Sequence, residues 1–281
     1  MSKFHRLNVG DAELISLQDS WAWKEPGGFF VDIEAEAWKP YPEWVGDDGL
    51  MAHNYGSFLI RSGGKNMLVD TGLGQWPNPL DLQQPPSLLE AMASAGFAPE
   101  DINLVLFTHL HWDHTGWNTR GPEGALELTF PNAHYIVQEK EFHYWTSPGD
   151  KPSNGPAYER VLAPLIAASR LELVDGEYAA SDEVVAVPTP GHTPGHVSFA
   201  IVSSGERAYI LGDAVNKPVQ LAEPDWYPIF DMDPAEGTKS RRMILDRAAD
   251  EGALLAGGHF EHPSMGYAVQ SGSGRSFRYV D

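Results

Sequence analysis

The chain has 281 residues, 42% of them apolar, which suits one large domain or two small ones around a sizeable core. Its formal net charge of −20, from 19 Lys and Arg against 39 Asp and Glu, gives nucleic acid no basic footprint to bind. There is no cysteine, so disulfides, thiolate ligands and a cysteine nucleophile are excluded, and the usage fits a reducing, cytoplasmic compartment.

The chain starts MSKFHRLNVGDAEL, without the apolar core of a secretory signal. No apolar run approaches the roughly 18 residues of a membrane span, so no membrane partner is expected. Strand-length apolar runs are expected at Ala12–Leu17, Ser57–Ile60, Met67–Val69, Leu104–Phe107, Tyr135–Val137, Val184–Val187, Val197–Val202 and Ala208–Leu211. Between them, Ser87–Ala95 reads as a helix. So does Tyr158–Ser169, where Pro164 must kink the helix or open a second one. Pro234–Glu251 reads as a helix with Asp233 as N-cap and proline at the first position. Strands alternating with helices from end to end predict an α/β fold, taken as one domain over 1–281. Two segments break the rhythm. An aromatic-rich loop is expected at about 19–55, with Trp21, Trp23, Phe29, Phe30, Trp38, Tyr41 and Trp44. A second covers 215–233, with Trp226, Tyr227 and Phe230. Such segments line pockets or subunit contacts, or are loops folded back on the core; a homodimer through the first is expected.

The densest chemistry lies in FTHLHWDHTG, residues 107–116. His109 and His111 alternate at the end of an expected strand, so both imidazoles face one way. Asp113 and His114 follow on a turn that opens a helix. Two pairs of ligands on one short segment suggest two ions. Three more candidates stand just after apolar runs: His192 in TPGHTPGH, Asp213 in YILGDAV and His259 in LLAGGHFEH. Strand ends deliver such side chains to one edge of a sheet. Asp70, in MLVDTG, is placed alike but reads as a supporting acceptor that orients a histidine or pins the loop. His5, His53, His134, His143, His196 and His262 read as surface or satisfied core histidines, with a supporting role open to His196 and His262. Trp117, Trp226 and Phe230 are the aromatic candidates for a pocket wall. Trp112 alternates away from His111 and Asp113 and is expected in the core.

The set LVDTG, THLHWDH, PGHTPGH and ILGD, closed by GGH, resembles the metallo-β-lactamase superfamily from about Tyr55 to Tyr267. That resemblance implies a four-layer αββα sandwich with two metals at one edge of paired sheets. It implies His109, His111 and His192 on the first metal, Asp113, His114 and His259 on the second, and Asp213 bridging both. Within the superfamily, the missing cysteine and the presence of Asp213 point away from true β-lactamases. His111 stands where flavo-diiron proteins carry Glu. The acidic surface does not fit the RNA-processing branch, and no basic glutathione site is found. The long gap from His114 to His192 and the stretch GDAVNKPVQLAEPDWYPIFDMDP resemble lactonases and methyl parathion hydrolase-like enzymes. One departure is that Ala214, Val215 and Asn216 stand where small acyl-homoserine lactonases carry a tyrosine.

The chemistry expected is hydrolysis of a small molecule, a lactone, ester or phosphotriester. Two divalent ions about 3.5–4 Å apart would share a hydroxide, with Asp213 or Asp113 moving the proton to the leaving group. Zinc is the default, with manganese, cobalt or iron as alternatives. Two other functions remain open: a mononuclear iron dioxygenase of the same fold, which would leave Asp113, His114 and His259 unused, and a non-catalytic metal-binding scaffold.

Overall fold

In the computed structural model, residues 3–76, 80–271 and 274–280 are described. The chain first lays down strands β1 (Phe4–Val9), β2 (Ala12–Lys24), β3 (Met51–Ser62), β4 (Lys65–Val69) and β5 (Leu104–Leu106). A small ribbon follows, β6 (Thr119–Arg120) with β7 (Glu127–Leu128), and then β8 (His134–Gln138) and β9 (Leu171–Val174). The second half supplies β10 (Tyr178–Ala179), β11 (Val184–Pro188), β12 (Val197–Ser203), β13 (Glu206–Ile210), β14 (Leu254–Ala256), β15 (Met265–Ser271) and β16 (Gly274–Tyr279). Two seven-stranded sheets result, one in the order β1-β2-β3-β4-β5-β8-β9, the other in chain order from β10 to β16.

Alternation along the strands explains why four layers form. Phe58 and Ile60 of β3, Met67 and Val69 of β4 and Leu106 of β5 face Phe199, Ile201, Ala208, Ile210 and Leu254 of the other sheet. The residues between them, Leu59, Leu68 and Val105, point outward under α1 (Leu88–Ser94), α4 (Tyr158–Val161) and α5 (Ala163–Ala167). On the second sheet Ala200, Tyr209 and Leu255 point outward under Ile244, Leu245 and Ala248 of α6 (Pro234–Asp250). Strands buried on both faces must be apolar throughout, and each such side chain contributes roughly 1.5–3 kcal/mol. The remaining helices are α2 (Trp112–Thr115) and α3 (Glu139–Thr146).

The expected strands and helices form with small shifts at their ends. Asp233 caps α6 by accepting from the Glu236 N–H at 3.0 Å. Pro164 opens α5 and divides the expected long helix into two. The segment at 19–55 is corrected: β2 runs to Lys24 and β3 starts at Met51, so only 25–50 is irregular. Strands β1, β9, β15 and β16 lie outside the expected runs, because each mixes polar or partly exposed residues with its apolar ones.

Candidate metal centre

Direction fixes what reaches the shared sheet edge. β4, β5 and β8 run parallel, and so do β13 and β14. β11 shares the direction of β13, since both are antiparallel to β12. The segments after β4, β5, β11, β13 and β14 therefore gather at one edge. They carry Asp70, His109 to His114, His192, Asp213 and His259. β3 is antiparallel to β4, so its start, with His53 and Tyr55, arrives at the same edge.

Each imidazole is held from behind. Asp70 accepts from the Thr108 N–H at 2.8 Å and its hydroxyl at 2.7 Å, and its other contact is His114 Nδ1 at 2.9 Å. One carboxylate thus pins the exit of β5 and the first turn of α2, as expected for Asp70. His109 Nδ1 lies 3.0 Å from Thr108 Oγ1. His192 Nδ1 lies 2.8 Å from Asp231 Oδ1, and His259 Nδ1 lies 2.7 Å from the Asn54 carbonyl. His111 is reversed: its Nε2 meets the Asn154 amide at 2.9 Å, leaving Nδ1 to face inward. Outer contacts of this kind fix ring orientation and raise ligand basicity.

Two glycines set the loops. Gly191 has φ +131°, and a Cβ there would fall 2.0 Å from the Gly237 backbone nitrogen, so the loop before His192 lies directly on α6. Gly212 has φ +54°, and its Cβ would fall 2.5 Å from His196 Nε2. That nitrogen accepts from the Asp213 N–H at 2.8 Å, so His196 positions the aspartate in the supporting role left open to it. Burial and the nearby His192 bring the His196 pKa down to about 3, which keeps this acceptor nitrogen bare.

Inward-facing donors fall into overlapping groups. His109, His111, His192 and Asp213 each place one donor atom within 4.8 Å of the others, and so do His114, Asp213 and His259. Asp213 belongs to both, with Oδ1 3.4 Å from His114 Nε2 and Oδ2 at 3.2 Å from His192 Nε2 and 3.3 Å from His259 Nε2. Asp113 lies 3.7 Å from His259 Nε2 and 3.9 Å from His114 Nε2. A third group joins Asp113 and His259 to His53, whose ring stacks on His259 at 4.2 Å. His53 was read as an ordinary core histidine and is instead part of this wall.

The donor set fits divalent cations. His109 Nε2, His114 Nε2 and Asp213 Oδ1 are buried without any hydrogen-bond partner, an arrangement that costs free energy unless something fills it. Burial and neighbouring imidazoles push the pKa values of His109 and His111 well below the usual histidine range, so both offer lone pairs. Burial also opposes charge on His114, but Asp213, Asp113 and Asp70 outweigh it and raise its pKa to about 10. For Asp213, burial favours the neutral acid, yet His259, His114 and His192 overcome it and hold the carboxylate ionised.

Residues 55–259 match the model of the metallo-beta-lactamase superfamily. This chain belongs to that superfamily. Among curated relatives of the metallo-beta-lactamase chain is the N-acyl homoserine lactonase AttM of Agrobacterium fabrum (strain C58), 25% identical over 75% of this chain and 80% of the relative. An N-acyl homoserine lactonase of a Bacillus species is 32% identical over 44% of this chain and 42% of its own. Among solved structures, AidC, a dizinc quorum-quenching lactonase in complex with a product, superposes with TM-score 0.84 at 23% identity, covering 100% and 98% of the two chains. The hydrolase AbOPH gives 0.85 at 24% identity, again over 100% and 98%. These superpositions confirm the αββα sandwich.

A cavity of about 200 Å³ opens over the donor groups, walled by Phe29, His53, Tyr55, Trp112 and Phe230. Phe230 thus stands where expected, but three tryptophans do not. Trp117 is buried beside α1 because its indole N–H donates to Asp19 at 3.0 Å. Trp226 packs on Trp38 at 4.9 Å and Tyr41 at 5.8 Å, inside the aromatic segment and off the cavity. Trp112 was expected in the core and lines the cavity instead, since α2 turns it back over the site.

Proposed function

We propose that this chain is a dinuclear metal-dependent hydrolase of lactonase type, with activity extending to esters and phosphotriesters. The observation that carries the reading is the pair of donor groups sharing Asp213, with unpartnered buried nitrogens facing one another. His109, His111 and His192 would hold one ion, Asp113, His114 and His259 the other, and Asp213 both, with zinc the metal that best suits these donors. When bound, such a pair supplies a hydroxide near neutral pH and polarises the scissile oxygen. Of the second group, His114 and His259 would be idle in a mononuclear iron dioxygenase, and their placement with Asp213 supports two ions.

The chain's own residues do the rest. Asp113 and Asp213 border the cavity and can take the proton of the attacking water and return it to the leaving alkoxide. Tyr55 presents a phenol to the cavity from β3. Phe29, Trp112 and Phe230 exclude water around the reacting bond. The names of the relatives, N-acyl homoserine lactonases, support a lactone substrate. Exposed Trp23, Ile229 and Phe230 beside the aromatic segment support a homodimer, which sedimentation would test.

Proton release by pH-stat tests the function. The metal-loaded enzyme is given an acyl-homoserine lactone, simple lactones, aryl esters and an aryl phosphotriester, with His109→Ala as control. Hydrolysis led by lactones and abolished in the variant supports the reading. No hydrolysis of any of them overturns it.

A further inference from the structure

The end of β2 carries a cation that the metal site does not use. In the β2–β3 pairing Ala22 lies opposite His53 and Lys24 opposite Met51. Opposed residues share a face and residues two apart return to it, so Lys24, His53 and Tyr55 stand on one face. That face is one wall of the cavity, which Lys24, His53 and Tyr55 all line. Trp21 and Trp23 occupy the opposite face, stacked edge-to-face at 5.1 Å.

Lys24 is half-buried, and among the described residues its side chain makes no hydrogen bond or ion pair. Among the described residues it is the one lysine or arginine that lines the cavity. The contrast with Lys217 is informative. That ammonium is fully buried behind the cavity and donates to the carbonyls of Ala52 at 2.6 Å and His259 at 3.0 Å, so it is committed to structure. Lys24 has no such role. The carboxylate that acts on it through space is Asp113, a group the proposed centre assigns to a cation. Burial already disfavours its charged form, which an incoming anion would reverse. Glu25, the other charged neighbour at the rim, is exposed and makes no ion pair with Lys24.

We propose that Lys24 is a specificity-determining residue that binds a carboxylate borne by the substrate, so that the preferred substrate is a small lactone or ester carrying a carboxylate rather than a neutral one. The proposal rests on the hydrolase reading above and names its substrate class. The ammonium stands on the cavity wall beside the donor groups, and a cavity of about 200 Å³ holds a compact ring with one charged substituent. The aromatic wall of Phe29, Trp112 and Phe230 then meets the uncharged part of the molecule.

The test is a matched pair of lactones, 5-oxotetrahydrofuran-2-carboxylate and its uncharged carboxamide, followed by pH-stat with metal-loaded enzyme at low ionic strength. Wild type should show the lower KM for the carboxylate. Lys24→Met should raise that KM by about tenfold or more, one close charge contact being worth that much in a partly screened cavity, and leave the carboxamide within about twofold. Lys24→Arg should keep the preference. Equal KM values in wild type, or equal changes for both lactones in Lys24→Met, overturn the proposal. A second readout needs no turnover: calorimetric titration of the metal-loaded chain with glutarate and with butyrate. Glutarate should bind more tightly to wild type and lose that advantage in Lys24→Met; no difference between the two acids in wild type refutes the assignment. Absence of hydrolysis on both lactones and on the wider ester and phosphotriester panel, with the glutarate preference intact, overturns the hydrolase reading and leaves the anion site standing.

Discussion

Among the described residues Arg241 is the most deeply buried lysine or arginine, and its replacement tests how the site is supported. Its guanidinium is inaccessible to solvent and reaches three oxygens. Nε donates to the Ala214 carbonyl at 2.9 Å, Nη1 to the Pro224 carbonyl at 3.0 Å and Nη2 to Asp231 Oδ2 at 3.0 Å. Asp231 in turn holds His192 Nδ1, and Ala214 follows Asp213, so one side chain braces two candidate ligands. Burial lowers the Arg241 pKa, but a guanidinium stays charged throughout the working range. Arg241→Met keeps most of the volume and removes the charge. It leaves Asp231 buried with only His192 as partner, a loss of about 3–5 kcal/mol. The two stranded carbonyls add about 1 kcal/mol each. A total of roughly 5–7 kcal/mol is a large share of the 5–15 kcal/mol that domains possess. Urea unfolding of the metal-free chain measures it. In the double variant Arg241→Met/Asp231→Asn the uncompensated charge is gone, and about half of the loss should return. A loss under about 1.5 kcal/mol for Arg241→Met, or no recovery in the double variant, would refute the reasoning.

Other substitutions probe other supports. Gly191→Ala drives a methyl into the backbone of Gly237 at 2.0 Å and must displace the loop that carries His192; bound metal, measured by elemental analysis, should fall while the fold persists by circular dichroism. Asp70→Asn removes the anion behind His114 and should weaken metal affinity by about 10–100-fold, read by competition with a chromophoric chelator; unchanged affinity would show that Thr108 and the loop suffice. Asp19 is fully buried, and burial raises its pKa from 3.8 to about 6 even though four N–H donors hold it. Because the folded value lies above the unfolded one, ionisation is disfavoured in the fold. Its contribution therefore falls by about 3 kcal/mol as pH rises from 4 to 6 and is constant above that window. Stability against pH for wild type, minus that for Asp19→Asn, should show this slope and no opposite one.

Much of the candidate site is legible because its donor residues sit in short motifs directly after apolar runs. The spacing of His109, His111, Asp113 and His114 encodes a strand end turning into a helix, and local sequence alone sets that geometry. His53 was not legible. In MAHNYG it is one histidine among small and polar residues, and it reaches the site only because β2 and β3 run past the sheet edge together. Alternation of Met51, His53 and Tyr55 was the available signal. The aromatic assignments depended on directions no motif encodes. Trp117 is captured by the buried Asp19 carboxylate, and Trp226 by Trp38 and Tyr41. The buried carboxylates themselves are equally silent in sequence. Glu141 accepts from the Leu110 and Gly195 N–H groups at 3.0 and 2.9 Å, tying together the two loops that carry His109, His111 and His192. Its partners are backbone groups more than 30 residues away in one direction and more than 50 in the other, which no local pattern announces.

The central claim is a hydrolase built on two ions that share Asp213. Stepwise reconstitution of the chelator-treated chain with zinc tests it most directly, following bound metal by elemental analysis and lactone hydrolysis by pH-stat in the same samples. Binding should saturate at two ions per chain, with hydrolysis following the second, and Asp213→Ala should abolish hydrolysis. Saturation and full activity at one ion per chain, or two bound ions with no hydrolysis, would contradict it.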